Sequence, residues 1–141
     1  MQDQPAPDKG SVLVLVVESD PYIRALQQAL LGERYTVHFV ADGELALEAA
    51  RRLRPRLLIA DILVPKIDGL RVCKLLKTAQ TTRGIRVLIF SELLAERRAR
   101  EAGADAFLHK PIDEARFLGA VQRLLAEAPE QAAPSSETGE A

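Results

Sequence analysis

Two kinds of hydrophobic pattern alternate along the chain. Short, uninterrupted apolar runs are typical of strands that are buried on both faces of a sheet. Longer segments in which apolar residues recur every three or four positions are typical of amphipathic helices. The first pattern predicts strands at residues 11–17, 35–40, 56–60, 85–90 and 106–109. The second predicts helices at residues 21–32, 42–53, 69–77, 93–103 and 113–128.

Capping residues stand at the predicted ends of several helices. Asp20 and Pro21 suit the N-cap and the first position of the first helix, and Gly32 suits its end. Asp42 and Asp113 are suited to begin the second and the last helix. An aspartate there accepts hydrogen bonds from backbone N–H groups that the first turn leaves unpaired. The capping residues therefore agree with the helices that the hydrophobic pattern predicts.

Strands and helices that alternate in this way predict an α/β fold. Right-handed crossovers would place the five strands in a mostly parallel, doubly wound sheet with helices on both faces. Ligands of such sheets bind at the carboxyl ends of the strands, near the point where the strand order reverses. Functional side chains are therefore expected where each strand ends.

Composition and charge narrow the class of protein. The 141 residues suit one domain, which we assign to residues 11–127. Residues 1–10 and 128–141 are polar and contain prolines, so they are expected to be disordered extensions. The single cysteine, Cys73, excludes an intrachain disulfide and suits the cytoplasm. A net charge of −1, and the lack of a long apolar run or signal sequence, argue against nucleic-acid and membrane partners.

Polar side chains follow the predicted strands at their carboxyl ends. They are Glu18, Ser19, Asp20, Asp61, Ser91 and Lys110. Because clustered carboxylates repel one another, they call for a cation, and oxygen ligands at a wet edge suit Mg²⁺. A carboxylate beside Mg²⁺ can attack a phosphoryl donor and form an acyl phosphate. A lysine and a hydroxyl nearby would stabilise the added charge.

Four segments of the sequence carry a resemblance to a known family. They are "VLVVESDP", "PRLLIADILVPKIDGLRVCKLLK", "VLIFS" and "AGADAFLHKPI", and each includes the end of a predicted strand. Together, and in this order, they make residues 12–127 resemble the receiver domain of two-component response regulators. The resemblance implies a flavodoxin-like receiver fold with strand order 2-1-3-4-5. It also implies a signalling switch rather than an enzyme.

The resemblance implies a phosphoacceptor and a metal site. Asp61 matches the phosphorylated aspartate, and Glu18 matches the first acid of the pair that holds Mg²⁺. Leu63 matches the residue whose backbone carbonyl binds the metal. Pro65 and Gly69 match the proline and the glycine of the acceptor loop.

The resemblance also implies a switch and its partners. Ser91 matches the switch hydroxyl, Phe107 the switch aromatic, and Lys110 the lysine before a proline that is usually cis. The implied phosphoryl donor is a histidine kinase or a phosphotransfer protein. The implied output is a change in the face formed by helix four, strand five and helix five. That face would bind a downstream protein or a second copy of the chain.

Three departures from the family pattern fall near the implied site. Ser19 stands where the family usually has a second acid that ligates Mg²⁺ directly, which predicts weaker metal binding. Asp20 could supply that ligand, or serve only as a helix cap. Glu92 replaces a small residue after the switch hydroxyl, and the segment between Ser91 and Lys110 is short. These changes leave an alternative open, a pseudo-receiver that binds proteins without being phosphorylated.

Other chemistries at strand ends fit the sequence less well. Phosphatases of the haloacid dehalogenase type need a second acid two residues after the nucleophile, where Leu63 stands. The glycine-rich signatures of dinucleotide-binding and P-loop folds do not occur in the sequence. The sequence therefore favours a phosphoacceptor switch.

Overall fold

The computed structural model describes residues 11–127, which form a five-stranded sheet flanked by five helices. The strands are β1 (Leu13–Val17), β2 (Thr36–Val40), β3 (Leu57–Ala60), β4 (Arg86–Ser91) and β5 (Ala106–His109). The helices are α1 (Pro21–Leu31), α2 (Gly43–Leu53), α3 (Gly69–Thr78), α4 (Glu96–Glu101) and α5 (Glu114–Ala126). All neighbouring strands are parallel, and their order is β2-β1-β3-β4-β5. The predicted doubly wound fold is confirmed.

The sheet separates two layers of hydrophobic core. Helices α2, α3 and α4 cover one face, and α1 and α5 cover the other. Leu15 and Val17 point into the first layer, whereas Val14 and Val16 point into the second. All four are fully buried, which explains why the strand is apolar at every position. Cys73 also lies in the first layer, where burial raises the pKa of its thiol to about 12.

The predicted aspartate caps are present on three helices. The carboxylates of Asp20, Asp42 and Asp113 each accept a hydrogen bond from a backbone N–H group in the first turn of α1, α2 and α5. Pro21 is the first residue of α1, a position whose backbone N–H group makes no hydrogen bond within the helix, so proline costs nothing there. Asp20 is therefore engaged in capping at the edge of the sheet where Mg²⁺ was expected.

Helix α4 is shorter than the sequence predicts. The apolar pattern predicted a helix at residues 93–103, because Leu93 and Leu94 extend its periodicity. Instead, the N–H group of Leu93 donates a hydrogen bond to Ser91 Oγ over 3.4 Å, and the chain turns before the helix begins. Leu94 lies 89% exposed to solvent as a result. The helix proper begins only at Glu96.

The predicted disorder of residues 1–10 and 128–141 falls outside the described residues. Within residues 11–127, no helix has both the length and the apolar character that crossing a bilayer requires.

Helix α2 ends at a residue with left-handed backbone geometry. Arg54 has φ 50° and ψ 58°, a conformation that costs a residue with a Cβ atom about 1–2 kcal/mol and that glycine adopts freely. Replacing Arg54 with glycine is expected to raise the free energy of unfolding by about 0.5–1 kcal/mol, after the greater entropy of glycine in the unfolded chain is subtracted. Urea unfolding measures the change.

The matched control for this variant is Arg51→Gly, at an exposed position inside the same helix. Glycine there should lower the free energy of unfolding by about 1 kcal/mol, because ordinary helical geometry does not need the backbone freedom of glycine, which is lost on folding. Equal effects of the two substitutions would contradict the assignment of strain to Arg54.

Candidate functional site

Three charged side chains meet at the carboxyl edge of the sheet. Glu18 and Asp61 each follow directly after a strand, and those strands, β1 and β3, are neighbours. Lys110, directly after β5, extends toward both acids across the end of β4. Its Nζ atom lies 3.1 Å from Glu18 Oε1 and 3.1 Å from Asp61 Oδ2. The structure thus brings together three of the four residues that the sequence assigns to one site.

The three charges are largely removed from water. The exposed fraction is 1% for Glu18 and 7% for both Asp61 and Lys110. Burial raises the pKa of Glu18 above its usual value, although contacts with Lys110 act in the opposite direction. Burial lowers the pKa of Lys110, but its hydrogen bond to Glu18 and the charges of both acids raise that pKa overall. Lys110 is therefore held as a cation between two carboxylates.

Ser91, the fourth residue, lies at the end of β4 and is fully buried. Its backbone carbonyl accepts a hydrogen bond from the N–H group of Lys110 over 2.9 Å. Its hydroxyl oxygen accepts one from the N–H group of Leu93. Ser91 is thus linked through its backbone to Lys110, which follows β5, and through its side chain to the loop before α4.

Phe107 lies within β5, and the peptide bond after Lys110 follows directly after that strand. Phe107 pairs with Ile89 in the sheet and is half-buried against the α2–α3–α4 layer of the core. The peptide bond between Lys110 and Pro111 is cis, as the resemblance implies. The predicted switch aromatic therefore lies on the side of the sheet that faces α4.

Glycines let neighbouring elements pack tightly against the loop that follows Asp61. A Cβ atom at Gly69 would collide with the backbone carbonyl of Asp61, and one at Gly43 with that of Ile67. The N–H group of Gly43 also donates to the carbonyl of Pro65 over 3.1 Å. Gly69 is predicted from the sequence to belong to this loop, whereas Gly43 is not, because its only signal is its place directly after a helix cap.

The residues that depart from the family pattern are all exposed. Ser19 is exposed after β1, and so is its neighbour Asp20, whose Oδ1 accepts a hydrogen bond from the N–H group of Tyr22. Glu92 is exposed as well, and its backbone carbonyl accepts a 2.7 Å hydrogen bond from Nε2 of His109. This contact between the ends of β4 and β5 was missed, because nothing in the sequence joins residues so far apart in the chain.

The acids of the site match the ligand preference of Mg²⁺ only in part. Within residues 11–127, no group of three or more His, Cys, Asp and Glu side chains is arranged to hold a metal ion. Two carboxylates, those of Glu18 and Asp61, do lie at one edge, each within 3.1 Å of Lys110. Mg²⁺ accepts one or two carboxylates because it retains several waters. The two carboxylates therefore fit a Mg²⁺ ion, but they give it fewer protein ligands than the family pattern provides.

The chain also resembles known proteins in sequence and fold. Residues 14–122 match the response regulator receiver domain family. The chain is 38% identical over 117 residues to the response regulator MprA of Mycobacterium ulcerans, covering 82% of this chain and 50% of MprA. The chain thus spans about half the length of this relative.

Solved structures share the fold. The signal receiver domain of a signal transduction histidine kinase from Syntrophus aciditrophicus is 32% identical, with a TM-score of 0.76, over 82% of this chain and 91% of that one. The receiver domain of the sensor histidine kinase PA1611 from Pseudomonas aeruginosa, with a magnesium ion in its active-site cleft, is 26% identical. Its TM-score is 0.76, over 83% of this chain and 99% of that one. The chain belongs to the response-regulator receiver-domain family of two-component signalling.

Proposed function

We propose that the chain is a phosphorylation switch in which Asp61 accepts a phosphoryl group from a histidine kinase or a phosphotransfer protein. The observation that carries this proposal is the position of the Asp61 carboxylate, buried beside Lys110 yet at the open edge of the sheet. The switch has no separate substrate, so the chain would act as a signalling module and not as an enzyme.

The chemical step forms an acyl phosphate. A carboxylate oxygen of Asp61 attacks the phosphorus of the donor's phosphohistidine, a P–O bond forms, and the P–N bond breaks. The imidazole leaves with the electron pair of that bond and takes a proton from solvent. Lys110, now 3.1 Å from Asp61 Oδ2, would pair with an oxygen of the bound phosphoryl group.

The switch would begin at Ser91. The phosphoryl group adds about −1.5 to −2 charges and three acceptor oxygens, which favour an O–H donor. When the Ser91 hydroxyl turns toward it, the hydrogen bond from the N–H group of Leu93 is lost. The loop before α4 would then move, and Phe107 would follow into the space that Ser91 leaves. The face of α4, β5 and α5 would thereby change its affinity for a downstream protein or a second copy of the chain.

Mg²⁺ would be held by the carboxylates of Glu18 and Asp61 and by the backbone carbonyl of Leu63. When bound, it would offset the negative charge that builds up on the transferred phosphoryl group. Asp20 is a less suitable ligand, because its carboxylate caps α1. Ser19 offers a neutral hydroxyl in place of the family's second acid, so the ion would bind more weakly.

The pseudo-receiver alternative has less support than phosphorylation. A chain that no longer uses phosphate has no need to keep an aspartate, a lysine and a hydroxyl together at one sheet edge. Buried, paired charges bring little net stability, so Glu18, Asp61 and Lys110 are poorly explained as structural residues.

Phosphorylation can be tested directly by intact mass after incubation with acetyl phosphate and Mg²⁺. The wild-type chain is expected to gain one phosphoryl group, and Asp61→Asn is expected to gain none. Asp68→Asn is the matched control, since this aspartate caps α3 near the site without belonging to it. An unmodified wild-type chain at all Mg²⁺ concentrations would favour the pseudo-receiver.

A second variant tests the role of Ser19 in the same assay. Ser19→Asp restores the second acid and is expected to tighten Mg²⁺ binding about tenfold, or about 1.4 kcal/mol. The Mg²⁺ concentration needed for half-maximal phosphorylation should fall by a similar factor. Ser19→Asn, which adds bulk without charge, should leave it unchanged. Equal Mg²⁺ requirements in all three proteins would contradict the proposed weakness of the site.

A further inference from the structure

A groove follows β5 between α4 and α5, on the side of the molecule away from β2. Its upper part has a volume of about 610 Å³. Leu94, Phe107 and Leu108 give this part an apolar surface. An adjoining hollow of about 250 Å³ shares Phe107 and Arg100 with it and continues to Arg123 near the end of α5. The two hollows thus form one path along the edge strand of the sheet.

Positive charge dominates the rim of this groove. Four arginines line it, Arg97 and Arg100 on α4 and Arg116 and Arg123 on α5. The acids along the same path are Glu96 and Asp105.

Each of those two acids already forms an ion pair, Glu96 with an arginine of the groove itself. Glu96 pairs with Arg100 at 3.0 Å, and Asp105 pairs with Lys77 at 2.9 Å. No carboxylate among residues 11–127 forms an ion pair with Arg97 or Arg116. Arg123 pairs with Glu127 at 3.5 Å. The groove therefore presents two uncompensated arginines, Arg97 and Arg116, beside an apolar floor.

The exposed edge of β5 adds a second reason for this groove to be covered. Within the described sheet, β4 is the only neighbour of β5, so one edge of Ala106–His109 faces the groove. Edge strands expose backbone N–H and C=O groups that readily pair with another segment of chain. An occupant with acidic side chains and an extended backbone would match both the rim and the strand edge.

We propose that residues 128–141 of the same chain occupy this groove. The segment contains Glu130, Glu137 and Glu140 and has no lysine or arginine. Its remaining residues include small apolar alanines and two prolines, which suit a shallow apolar floor at a strand edge. The acidic side chains of the segment therefore match the arginine rim, and its small apolar residues match the apolar floor.

The segment also starts in the right place and has the required length. It continues directly from the end of α5, beside Arg123, where the lower hollow lies. Fourteen extended residues reach about 46 Å, whereas α5 with its 13 residues is about 20 Å long. The segment can therefore pass from Arg123 to Arg97 with residues to spare.

Occupation of the groove would make the segment a competitor for partners. A tethered segment reaches a local concentration on the order of millimolar, so even weak contacts keep it bound. The groove belongs to the α4–β5–α5 face that we propose as the output surface. Docking itself needs no phosphoryl transfer, so its failure would leave the proposed function untouched.

A spin label on the segment tests the proposal in the full chain. Ser136→Cys supplies one accessible thiol for a nitroxide, while Cys73 is buried and its thiol has a pKa of about 12. Amide signals along the groove, those of Arg100, Phe107 and Arg116 among them, are expected to lose intensity at least about twofold more than those of β2 on the opposite edge. Salt at about 1 M should remove most of this difference, because it screens charges beyond about 3 Å.

Charge-reversal variants and a mixing experiment decide the outcome. Arg97→Glu with Arg116→Glu should abolish the groove-specific loss of signal, whereas Arg71→Glu with Lys74→Glu, on the exposed side of α3, should not. The dispersion of the amide spectrum shows whether each variant is folded. Even loss of signal over the whole surface would overturn the proposal. So would loss that persists when labelled and isotope-enriched chains are different molecules, because the occupant would then be a second copy.

Discussion

Replacing Lys110 with methionine is expected to lower the free energy of unfolding at pH 8 by about 3–4 kcal/mol. Methionine keeps an unbranched side chain one atom shorter but removes the ammonium that lies 3.1 Å from both Glu18 and Asp61. The two buried carboxylates would then face each other without a cation. Removing one member of a buried ion pair typically costs about 3–5 kcal/mol. Urea unfolding at several pH values measures the loss.

The loss should depend on pH in a defined direction. Burial already raises the pKa of Glu18 above 4.5, and Lys110 is the group that opposes this rise. Without Lys110, the folded state would bind protons at the site more tightly than the unfolded chain does. The contribution of the site to the stability of the variant would therefore be greatest below pH 4.5 and would fall as pH rises through the folded-state pKa. The difference from wild type should narrow as pH approaches 5.

Two companion variants separate charge from packing. Lys74→Met, on an exposed turn of α3, should change stability by less than about 0.5 kcal/mol. Adding Glu18→Gln to Lys110→Met should recover much of the loss at pH 8, because one uncompensated carboxylate is removed. A loss of the same size at every pH, with no recovery in the double variant, would contradict an electrostatic origin.

The sequence allowed most of the fold to be predicted because its signals are local. Val14 to Val17 are apolar on both faces, which only a covered parallel sheet explains, and the caps at Asp20 and Asp42 gave helix starts directly. The error lay at α4, where Leu93 and Leu94 continued a helical pattern. A hydrogen bond from the N–H group of Leu93 to Ser91, which the apolar periodicity does not reveal, delays the start of the helix to Glu96.

Only those residues of the site that directly follow a strand could be predicted from the sequence. Glu18, Asp61 and Lys110 each directly follow a strand, so the parallel sheet alone brings them to one edge. The contact between His109 and the backbone of Glu92 joins two loops, and a backbone acceptor leaves no mark in the sequence. The sequence left open whether the Asp20 carboxylate caps α1 or turns to the site, and its hydrogen bond from the N–H group of Tyr22 shows the cap.

A network of charged side chains at the amino ends of β4 and β5 also could not be predicted from the sequence. Asp105, just before β5, pairs with Lys77 of α3 at 2.9 Å and with Arg86 of β4 at 3.2 Å. Its carboxylate also accepts a 2.8 Å hydrogen bond from the N–H group of Val87. Arg86 continues the network to Glu127, after α5, at 3.6 Å. Lys77, Arg86, Asp105 and Glu127 lie in four separate parts of the chain, so no spacing in the sequence links them.

Asp105→Ala is therefore expected to lower the free energy of unfolding by about 2–3 kcal/mol. The substitution leaves two cations and one backbone donor without their partner, and the slight exposure of the site keeps the loss below that of a fully buried pair. Asp105→Asn can still accept from the N–H group of Val87, so it should lose roughly half as much. Asp68→Ala, which removes only the α3 cap, should lose about 1 kcal/mol. If Asp105→Ala loses no more than that cap variant in urea unfolding, the network is a set of surface pairs and does not join α3, β4 and β5.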